Sequence, residues 1–479
     1  MLELQPASSA LEHYDELYDS AGVPRPHYAP LAETLAVLGR DEILARVRTI
    51  NTALLQRGVT FTVYADSEGT ERVFPFDIIP RIITAYEWAR IERGIRQRVS
   101  AINSFLHDVY HSERILRENR IPRELVYSSK NYNREMIDVD VARDVYVHIS
   151  GIDLIRDERG DFLVLEDNCR TPSGISYVLE NRDVLKRGLA DLFLGYAVCP
   201  VDDYPARLLD VLRYVAPPGN AQPNVVVLTP GIYNSAYFEH TLLARRMGVE
   251  LVEPRDLVVV DNAVFLKTTR GLERVDVVYR RIDDDYLDPL YFHADSTLGV
   301  AGLMDAYRAG NVTIANAIGT GVGDDKAIYR FVPEMIRFYL DEEPILNNVP
   351  TFDCTEPVEL QHVLTNLDKL VVKNTSGSGG YGMLMGPYAT LEERERFRDM
   401  IAAAPRDFIA QPVVQLSSSP TLVDGASVAR RGDLRPFALF GRGVDVPPAA
   451  LTRVALREGS LVVNSSQGGG SKDTWVLQA

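Results

Sequence analysis

The sequence contains little cysteine: Cys169, Cys199 and Cys354 are the only three among 479 residues. A small, odd number of thiols does not form a disulfide framework, so a disulfide-stapled secreted domain is excluded and a reducing compartment is expected. Long apolar runs are missing as well, and the longest are short segments such as Val225–Leu228. Because a membrane-spanning helix needs about 20 mostly apolar residues, we expect no transmembrane helix and no membrane partner.

Positive charge is also in deficit, since 51 Lys and Arg residues face 67 Asp and Glu residues and the formal net charge is −16. A nucleic-acid groove needs an excess of Lys and Arg to neutralise phosphates, so nucleic acid is not expected as a partner. The first twenty residues are acidic where a signal peptide has a positive segment and then an apolar one. Together these features favour a soluble cytoplasmic enzyme.

The order of helix and strand patterns predicts a mixed α/β protein, and a chain of this length is expected to form about three domains or lobes. Residues 1–150 show mostly helical spacing of apolar residues, interrupted by a proline-bounded break at 75–80. Residues 145–165 predict two strands joined by a polar turn, and residues 224–252 predict a βαβ unit. A further helix is predicted over 326–340.

A glycine-dense segment is the richest local signal. Residues 374–382 read N-T-S-G-S-G-G-Y-G, and 377–382 satisfy G-x-G-x-x-G. The dinucleotide-binding form of this pattern requires a helix directly after the glycines, whereas here a short apolar strand follows. A glycine loop between two strands is typical of a flap that covers nucleotide phosphates, and Lys373 directly before it is placed to reach a phosphate. The alternative is a flexible surface hairpin, although the entropy cost of ordering so many glycines favours a function.

Two carboxylates and an amide form a second signal. Glu166 and Asn168 are two residues apart on a predicted strand and therefore share one face. Asp153 lies on the partner strand of the predicted hairpin, where cross-strand pairing brings its carboxylate beside Glu166. Two like charges in contact require a cation, and oxygen ligands favour Mg²⁺. The alternative is an exposed polar hairpin.

Together these motifs resemble the ATP-grasp superfamily of carboxylate–amine ligases, in rotated order. An ATP-grasp chain usually ends with an Asp…Glu-x-Asn magnesium motif, which here lies near the front. From the βαβ unit onward the other motifs follow in the usual order: Lys326, Lys373 with the glycine flap, a hinge strand at 409–413, Asp433-Leu434-Arg435, Arg453, and a glycine-rich segment at 464–470. The chain is similar to a bacterial family of circularly permuted ATP-grasp proteins, distantly like glutathionylspermidine synthetase. The match also covers residues 74–77, Gln97-Arg98-Val99 and residues 279–285.

The resemblance implies a role for each of these residues. Binding of ATP would involve Lys326, Lys373, Gly377, Ser378, Gly379, Gly380, Tyr381, Gly382, Gln411 and Val413. Magnesium would be bound by Asp153, Glu166 and Asn168. Arg435 and Arg453 would be catalytic, steadying the phosphoryl and acylphosphate oxygens, because an Arg fork matches such oxygens in geometry.

The resemblance also implies a circularly permuted ATP-grasp fold, α/β (α+β), with an N-terminal helical region and a βαβ substrate-binding lobe. The expected divisions are a helical region at 1–144, a magnesium-site half of the catalytic core at 145–215, the substrate lobe at 216–320, a lid with the glycine flap at 321–415, and core-completing strands at 416–479. Permutation is physically reasonable when the two ends of the chain lie close together.

The implied activity is an ATP- and Mg²⁺-dependent ligation of a carboxylate to an amine through an acylphosphate, on a peptide-like or amino-acid substrate. One alternative is a phosphotransferase that uses the same cleft without an amine step. Another is a nucleotide-binding regulator without turnover. The presence of Lys373, Glu166 and Asn168 argues against it, because a protein that had lost its activity would be expected to have lost such ligands. The resemblance further implies transglutaminase-like or helical partner proteins. The sequence carries no motif for the oligomeric state or for the identity of the substrates.

Overall fold

The structure is a computed structural model, and it describes residues 13–63, 70–377, 382–423, 425–456, 463 and 469–479. Helices and strands alternate along much of this chain. The helices are α1 (Ala29–Leu38), α2 (Arg40–Gln56), α3 (Ala85–Tyr110), α4 (Arg114–Arg117), α5 (Arg123–Tyr127), α6 (Ile175–Gly188), α7 (Tyr204–Tyr214), α8 (Tyr237–Met247), α9 (Leu303–Arg308), α10 (Lys326–Tyr329), α11 (Val332–Leu340), α12 (Pro357–Thr365) and α13 (Leu391–Ala403). Among the described residues, no helix has both the length and the apolar character to cross a membrane.

The strands belong to several sheets. They are β1 (Thr60–Val63), β2 (Thr70–Val73), β3 (Phe76–Ile83), β4 (Ile149–Arg156), β5 (Phe162–Asn168), β6 (Val225–Leu228), β7 (Glu250–Val252), β8 (Leu257–Val260), β9 (Ala263–Thr268), β10 (Gly271–Val275), β11 (Val277–Arg280), β12 (Thr313–Ala315), β13 (Asn347–Asn348), β14 (Phe352–Asp353), β15 (Leu370–Asn374), β16 (Leu384–Met385), β17 (Phe408–Pro412), β18 (Ser418–Val423), β19 (Ala426–Phe440), β20 (Val444–Asp445), β21 (Ala450–Ala455) and β22 (Gly469–Val476).

The central sheet joins strands from both ends of the chain. Its order is β13-β5-β4-β19-β21-β22-β3, and β18 and β20 also pair with β19. Strand β4 pairs antiparallel with β19, and β3 pairs parallel with β22, so the front of the chain is hydrogen-bonded to its tail. The same sheet therefore contains strands from the segments 1–144, 145–215 and 416–479. The domain divisions themselves stay a prediction.

The expected interruption of the helices at 75–80 is confirmed, since α2 ends at Gln56 and α3 begins at Ala85, and it takes the form of a strand. Residues 76–83 form β3, and all but the first are buried. The proline rule excludes a helix interior but tolerates proline in a strand at the edge of a sheet, where a backbone N–H has no partner to bond. Since β3 lies at the end of the sheet order, Pro80 fits there.

Two smaller sheets flank the central one. A four-stranded antiparallel sheet, which we call the lid sheet, has the order β14-β17-β15-β16. A parallel sheet has the order β12-β11-β6-β7, which confirms the predicted βαβ unit formed by β6, α8 and β7. A meander of β8, β9 and β10 and a hairpin of β1 and β2 complete the strand pairing of the described residues.

Local capping determines where the helices next to the site begin. A capping box forms at Thr390, whose hydroxyl accepts from the Glu393 backbone N–H while the Glu393 carboxylate accepts from the Thr390 backbone N–H. Asp325 caps α10 by accepting from the Ala327 backbone N–H at 2.9 Å. This cap places Lys326 in the first turn of α10.

Two histidines are buried without charge in the folded chain. Burial lowers the pKa of His240 to about 2, with the Arg281 charge acting in the same direction, and burial lowers the pKa of His148 to about 3. In the unfolded chain a histidine titrates near pH 6.5. As the pH drops below about 6.5, the unfolded state therefore binds protons at these histidines that the folded state does not bind, and the free energy of unfolding decreases.

We predict that a change from pH 7 to pH 5 lowers the free energy of unfolding by about 2 kcal/mol for each of these histidines. The substitution His240→Gln should remove one such contribution, as measured by the urea midpoint at both pH values. The exposed His362 supplies the control: His362→Gln should leave the pH dependence unchanged. A His240→Gln variant with the full pH dependence of the native chain would contradict the assignment.

Candidate active site

A cleft of about 500 Å³ lies between the central sheet and the lid sheet. Strands β4, β5, β19 and β21 supply its floor, β15, β16 and β17 supply its roof, and α10 reaches it with its first residue. The floor is rich in charged side chains and the roof is largely apolar. Of the predicted site residues, the cleft lining includes Asp153, Glu166, Asn168, Lys326, Lys373, Gly377, Gln411, Val413, Arg435 and Arg453.

The β4–β5 hairpin brings the predicted metal ligands together. Asp153 pairs with Glu166 and Gly151 with Asn168, and the register shifts just after Asp153. The Asn168 side-chain amide donates to Asp153 Oδ1 at 3.4 Å. Side chains alternate along a strand, so Glu166 and Asn168 face the cleft together while Asp167 is directed away from it.

The two carboxylates titrate in opposite directions. Burial, together with the nearby Glu166, raises the pKa of Asp153 well above its usual value, despite Arg435 Nη1 at 2.9 Å from Asp153 Oδ2. Burial alone would also raise the pKa of Glu166, but the charges of Lys326, Lys373 and Arg435 outweigh it and lower that pKa to about 2. One carboxylate of the pair thus stays ionised while the other favours a proton, as expected for like charges side by side.

The donor set of this hairpin fits magnesium. The described residues contain no group of three or more His, Cys, Asp or Glu side chains placed to hold a metal ion. Asp153, Glu166 and Asn168 instead offer two carboxylates and one amide oxygen. Mg²⁺ typically takes one or two carboxylates and completes its shell with water and substrate phosphates, so the residues present are suitable ligands.

Arg435 is anchored on both sides by carboxylates. Its Nε and Nη2 donate to Asp433 Oδ2 at 2.9 and 2.7 Å, and Nη1 faces Asp153. Burial lowers the pKa of Arg435, but the charges of these carboxylates outweigh the effect of burial and raise the pKa above its ordinary value. Asp433, two residues away on β19, thereby fixes the direction of the guanidinium.

Lys326 bridges the floor and the glycine segment. Its ammonium donates to the Gly377 carbonyl at 2.7 Å and lies 3.4 Å from Glu166 Oε2. The cation thus stands in the first turn of α10, where the helix dipole opposes it, and the carboxylate offsets the cost.

Two further cations face the cleft without a partner among the described residues. Neither the Lys373 ammonium nor the Arg453 guanidinium forms an ion pair or a side-chain hydrogen bond there, and Arg453 Nε is buried. Burial lowers the pKa of Lys373 to about 8, with Glu166 opposing and Lys326 adding to the shift. Burial and the neighbouring Arg435 lower the pKa of Arg453 to about 10. Positive charge in a cleft with no ion pair of its own indicates a site for an anion.

The far end of the cleft is apolar and lies along the predicted hinge. Its lining there includes Ile155, Leu165, Val349, Val371, Met383, Met385, Pro412, Val413, Val414 and Leu416. The Gln411 side chain is turned to Thr351 Oγ1, to which it donates at 3.0 Å. Residues 413–415 follow β17 and make no backbone hydrogen bond with another described residue. Their N–H and C=O groups can therefore serve the edge of a planar base.

The glycine segment joins two paired strands. Val371 pairs with Met385 and Val372 with Leu384, so the strand–loop–strand arrangement predicted for this segment is confirmed. Gly377 lies at the cleft, and Gly382 has a φ of +68°, which favours glycine. The predicted residues Ser378, Gly379, Gly380 and Tyr381, and also 464–468, lie outside the described residues.

Sequence reasoning missed part of the cleft wall. Asp324 accepts from the Cys169 backbone N–H and from Arg170 Nε, the latter at 2.8 Å. Asn131 and Ser235 also line the cleft. No local pattern marks these residues, because they reach the cleft from loops that are distant in the chain.

Comparison with known proteins places the chain among ATP-grasp proteins. The family profile described as "Circularly permuted ATP-grasp type 2" matches residues 80–455. An uncharacterized protein of Synechocystis sp. is 54% identical over 466 residues, which covers 97% of each chain. An uncharacterized protein of Mycobacterium tuberculosis is 52% identical and covers 97% of this chain and 84% of its own length.

A more distant relative has a name that describes an activity. The Frankia alni protein "Putative glutamate--cysteine ligase 2-3" is 44% identical over 97% of this chain, which spans 54% of that protein's length. A solved structure, a glutathione synthetase-like effector of Globodera pallida, superposes with a TM-score of 0.61 at 11% identity and covers 92% of this chain and 98% of its own. At that identity the likeness concerns the fold alone. By its profile match and its relatives, and in agreement with the rotated order of its motifs, the chain belongs to the circularly permuted ATP-grasp family, with an ATP-grasp fold of mixed α/β architecture.

Proposed function

We propose that this protein is an ATP-dependent ligase that joins a carboxylate to an amine, with an acylphosphate as the intermediate. Membership of the ATP-grasp family supports an ATP-dependent ligase. The name of the Frankia alni relative supports amino acids or small peptides as the substrate class.

The observation that carries the proposal is the pair of unpartnered cations beside the carboxylate hairpin. Lys373 and Arg453 face one cleft together with Asp153, Glu166 and Asn168. A cleft that holds both surplus cations and adjacent carboxylates is complementary to a metal-bound polyphosphate, since the cations attract the phosphates and the carboxylates attract the metal.

The nucleotide would lie along the cleft. The base would fill the apolar end, with its edge against the backbone of Val413 and Val414. The phosphates would extend toward Lys326 and Lys373, near Gly377. Release of the Lys326 ammonium from the Gly377 carbonyl would let it turn to a phosphate oxygen.

Asp153, Glu166 and Asn168 would hold Mg²⁺, which supplies charge neutralisation for the phosphates when it is bound. A substrate carboxylate oxygen would attack the γ-phosphorus, and the bond to the ADP oxygen would break. An amine lone pair would then attack the acyl carbon, so that the amide forms, inorganic phosphate leaves and the amine loses a proton.

The chain's own groups would act on the charge that develops in these steps. Arg453 is free to bind the transferred phosphoryl group, whereas Arg435 is held in place by Asp433 and Asp153. Positioned donors of this kind typically contribute about 2.7–4 kcal/mol each to transition-state stabilisation. Because only Arg435 is held by carboxylates, we expect Arg453 to move onto the phosphoryl group and Arg435 to contact it from a fixed position.

We predict that the protein releases ADP from Mg·ATP only when a carboxylate and an amine are both supplied, and that a new amide mass appears in equal amount. The test is a screen of amino-acid and short-peptide carboxylates against amine pools, with ADP and product mass scored together. ADP released together with a phosphorylated product and no amide would instead identify a phosphotransferase.

We predict that Glu166→Ala combined with Asn168→Ala abolishes Mg·ATP-dependent turnover, because two of the three metal ligands are lost. Circular dichroism should show that the fold survives, since neither side chain is fully buried. The control is Glu42→Gln, which breaks only a surface pair with Arg46 and should keep the native rate. Native activity in the double variant would refute the metal assignment.

We predict that nucleotide affinity weakens as the pH rises above about 8, because Lys373 loses its proton and no longer attracts the phosphates. Below that pH the ammonium is charged and the affinity should level off. In Lys373→Arg the cation stays charged at these pH values, so the decline should disappear. Calorimetric titration with ATP at pH 7, 8 and 9 measures the effect. An equally steep decline in the arginine variant would show that another group is responsible.

A further inference from the structure

We propose that Arg98 is the positioning residue for the metal-binding strand, and that it acts through a buried ion pair with Asp167. The inference rests on the proposed function, because it takes Glu166 and Asn168 as ligands of magnesium. Arg98 belongs to the segment Gln97-Arg98-Val99, which none of the steps described above uses.

The contact is made on the side of β5 that faces away from the cleft. Asp167 stands between Glu166 and Asn168, and the alternation of the strand directs it to the opposite face. Arg98 Nε donates to Asp167 Oδ1 at 2.6 Å, and Nη2 donates to Oδ2 at 2.7 Å. Both side chains are 0% exposed. A two-pronged contact of this kind fixes the rotation of β5 as well as its position.

A third contact extends from the same guanidinium to α10. Arg98 Nη1 donates to Asn348 Oδ1 at 2.7 Å, and the Asn348 amide donates to the Tyr329 carbonyl at 3.0 Å. The Tyr329 hydroxyl in turn donates to the Val164 carbonyl of β5 at 2.5 Å. Tyr329 is the last residue of α10, and Lys326 is the first.

The network therefore sets the distance between the two elements that meet in the cleft. β5 carries Glu166, and α10 carries Lys326, whose ammonium lies 3.4 Å from that carboxylate. Arg98 contacts the opposite side of both elements. The 26-residue helix α3, which is held at its start by a capping box, supplies the rigid base.

Gln97 supports the same arrangement from the neighbouring position. Its amide donates to the Glu343 carbonyl at 2.9 Å and its Oε1 accepts from the Ile345 backbone N–H at 3.0 Å. These bonds hold the segment that leads into β13, whose Asn348 pairs with Val164 of β5. Both members of the Gln97-Arg98 pair are thereby directed at the same edge of the central sheet.

The chemistry requires arginine at this place. A lysine keeps the charge but cannot form the two parallel bonds to Asp167 together with the bond to Asn348. Groups that orient metal ligands from behind typically change metal affinity by about 10- to 100-fold when they are replaced. The expected loss is therefore in the coupling between metal and nucleotide, beyond any loss of stability.

The experiment compares nucleotide affinity with and without Mg²⁺, with the non-hydrolysable analogue AMP-PNP as the probe in calorimetry. The quantity compared is the dissociation constant without Mg²⁺ divided by the dissociation constant with Mg²⁺. In Arg98→Lys this ratio should fall by about 10-fold or more, while metal-free binding changes little. Asn348→Ala, which leaves no buried charge unpaired, should shift the ratio in the same direction by a smaller factor. It keeps the test valid if the lysine variant fails to fold.

The matched control is Arg182→Lys. Arg182 is also fully buried and donates to Asp473 at 2.7 Å, but it packs against β22 and outside the cleft lining. The Arg182→Lys variant should lower thermal stability as much as Arg98→Lys does, but it should leave the ratio of the two dissociation constants unchanged. A native ratio in Arg98→Lys and Asn348→Ala, or an equal loss in Arg182→Lys, would overturn the positioning role. A native protein whose AMP-PNP binding ignores Mg²⁺ would overturn the proposed function itself.

Discussion

The repulsion between Asp153 and Glu166 is the constraint on which the site depends. The two carboxylates face each other across neighbouring strands inside the protein, where like charges cannot both ionise without nearby cations. Lys326 and Arg435 supply part of that compensation at 3.4 and 2.9 Å. The remaining positive charge of the cleft has no protein partner among the described residues, so the site is complementary to a metal ion bound together with an anion.

The central sheet makes this arrangement compatible with a rotated chain order. The β4–β5 hairpin comes early in the chain, and strands β19 and β21, which carry Arg435 and Arg453, come late, yet β4 and β19 are hydrogen-bonded neighbours. Strand β22, near the end of the described chain, pairs with β3. Sheet pairing depends on backbone geometry and not on the order of the strands along the chain. A circularly permuted chain can therefore retain the same cleft.

Much of the site follows from local pattern. A polar turn between two apolar segments predicted the β4–β5 hairpin. Cross-strand pairing then placed Asp153 beside Glu166, and the side-chain period of two put Glu166 and Asn168 on one face. The strand after the glycines predicted a flap instead of a dinucleotide loop. The role of Asp324 and the strand at 76–83 were not predicted, because the first depends on a contact with the distant Arg170 and the second on an edge position in the sheet.

By itself the sequence determined the family, the cyclic order of the motifs and the residue types that line the cleft, because these are written in short, local patterns. Only the tertiary structure decided which charges of the described residues remain without partners, how Arg435 is held by Asp433, and that Arg98 lies behind β5. Those properties arise from distances between residues that are far apart in the chain. No local pattern encodes such distances, since they are set by how the sheets and helices pack.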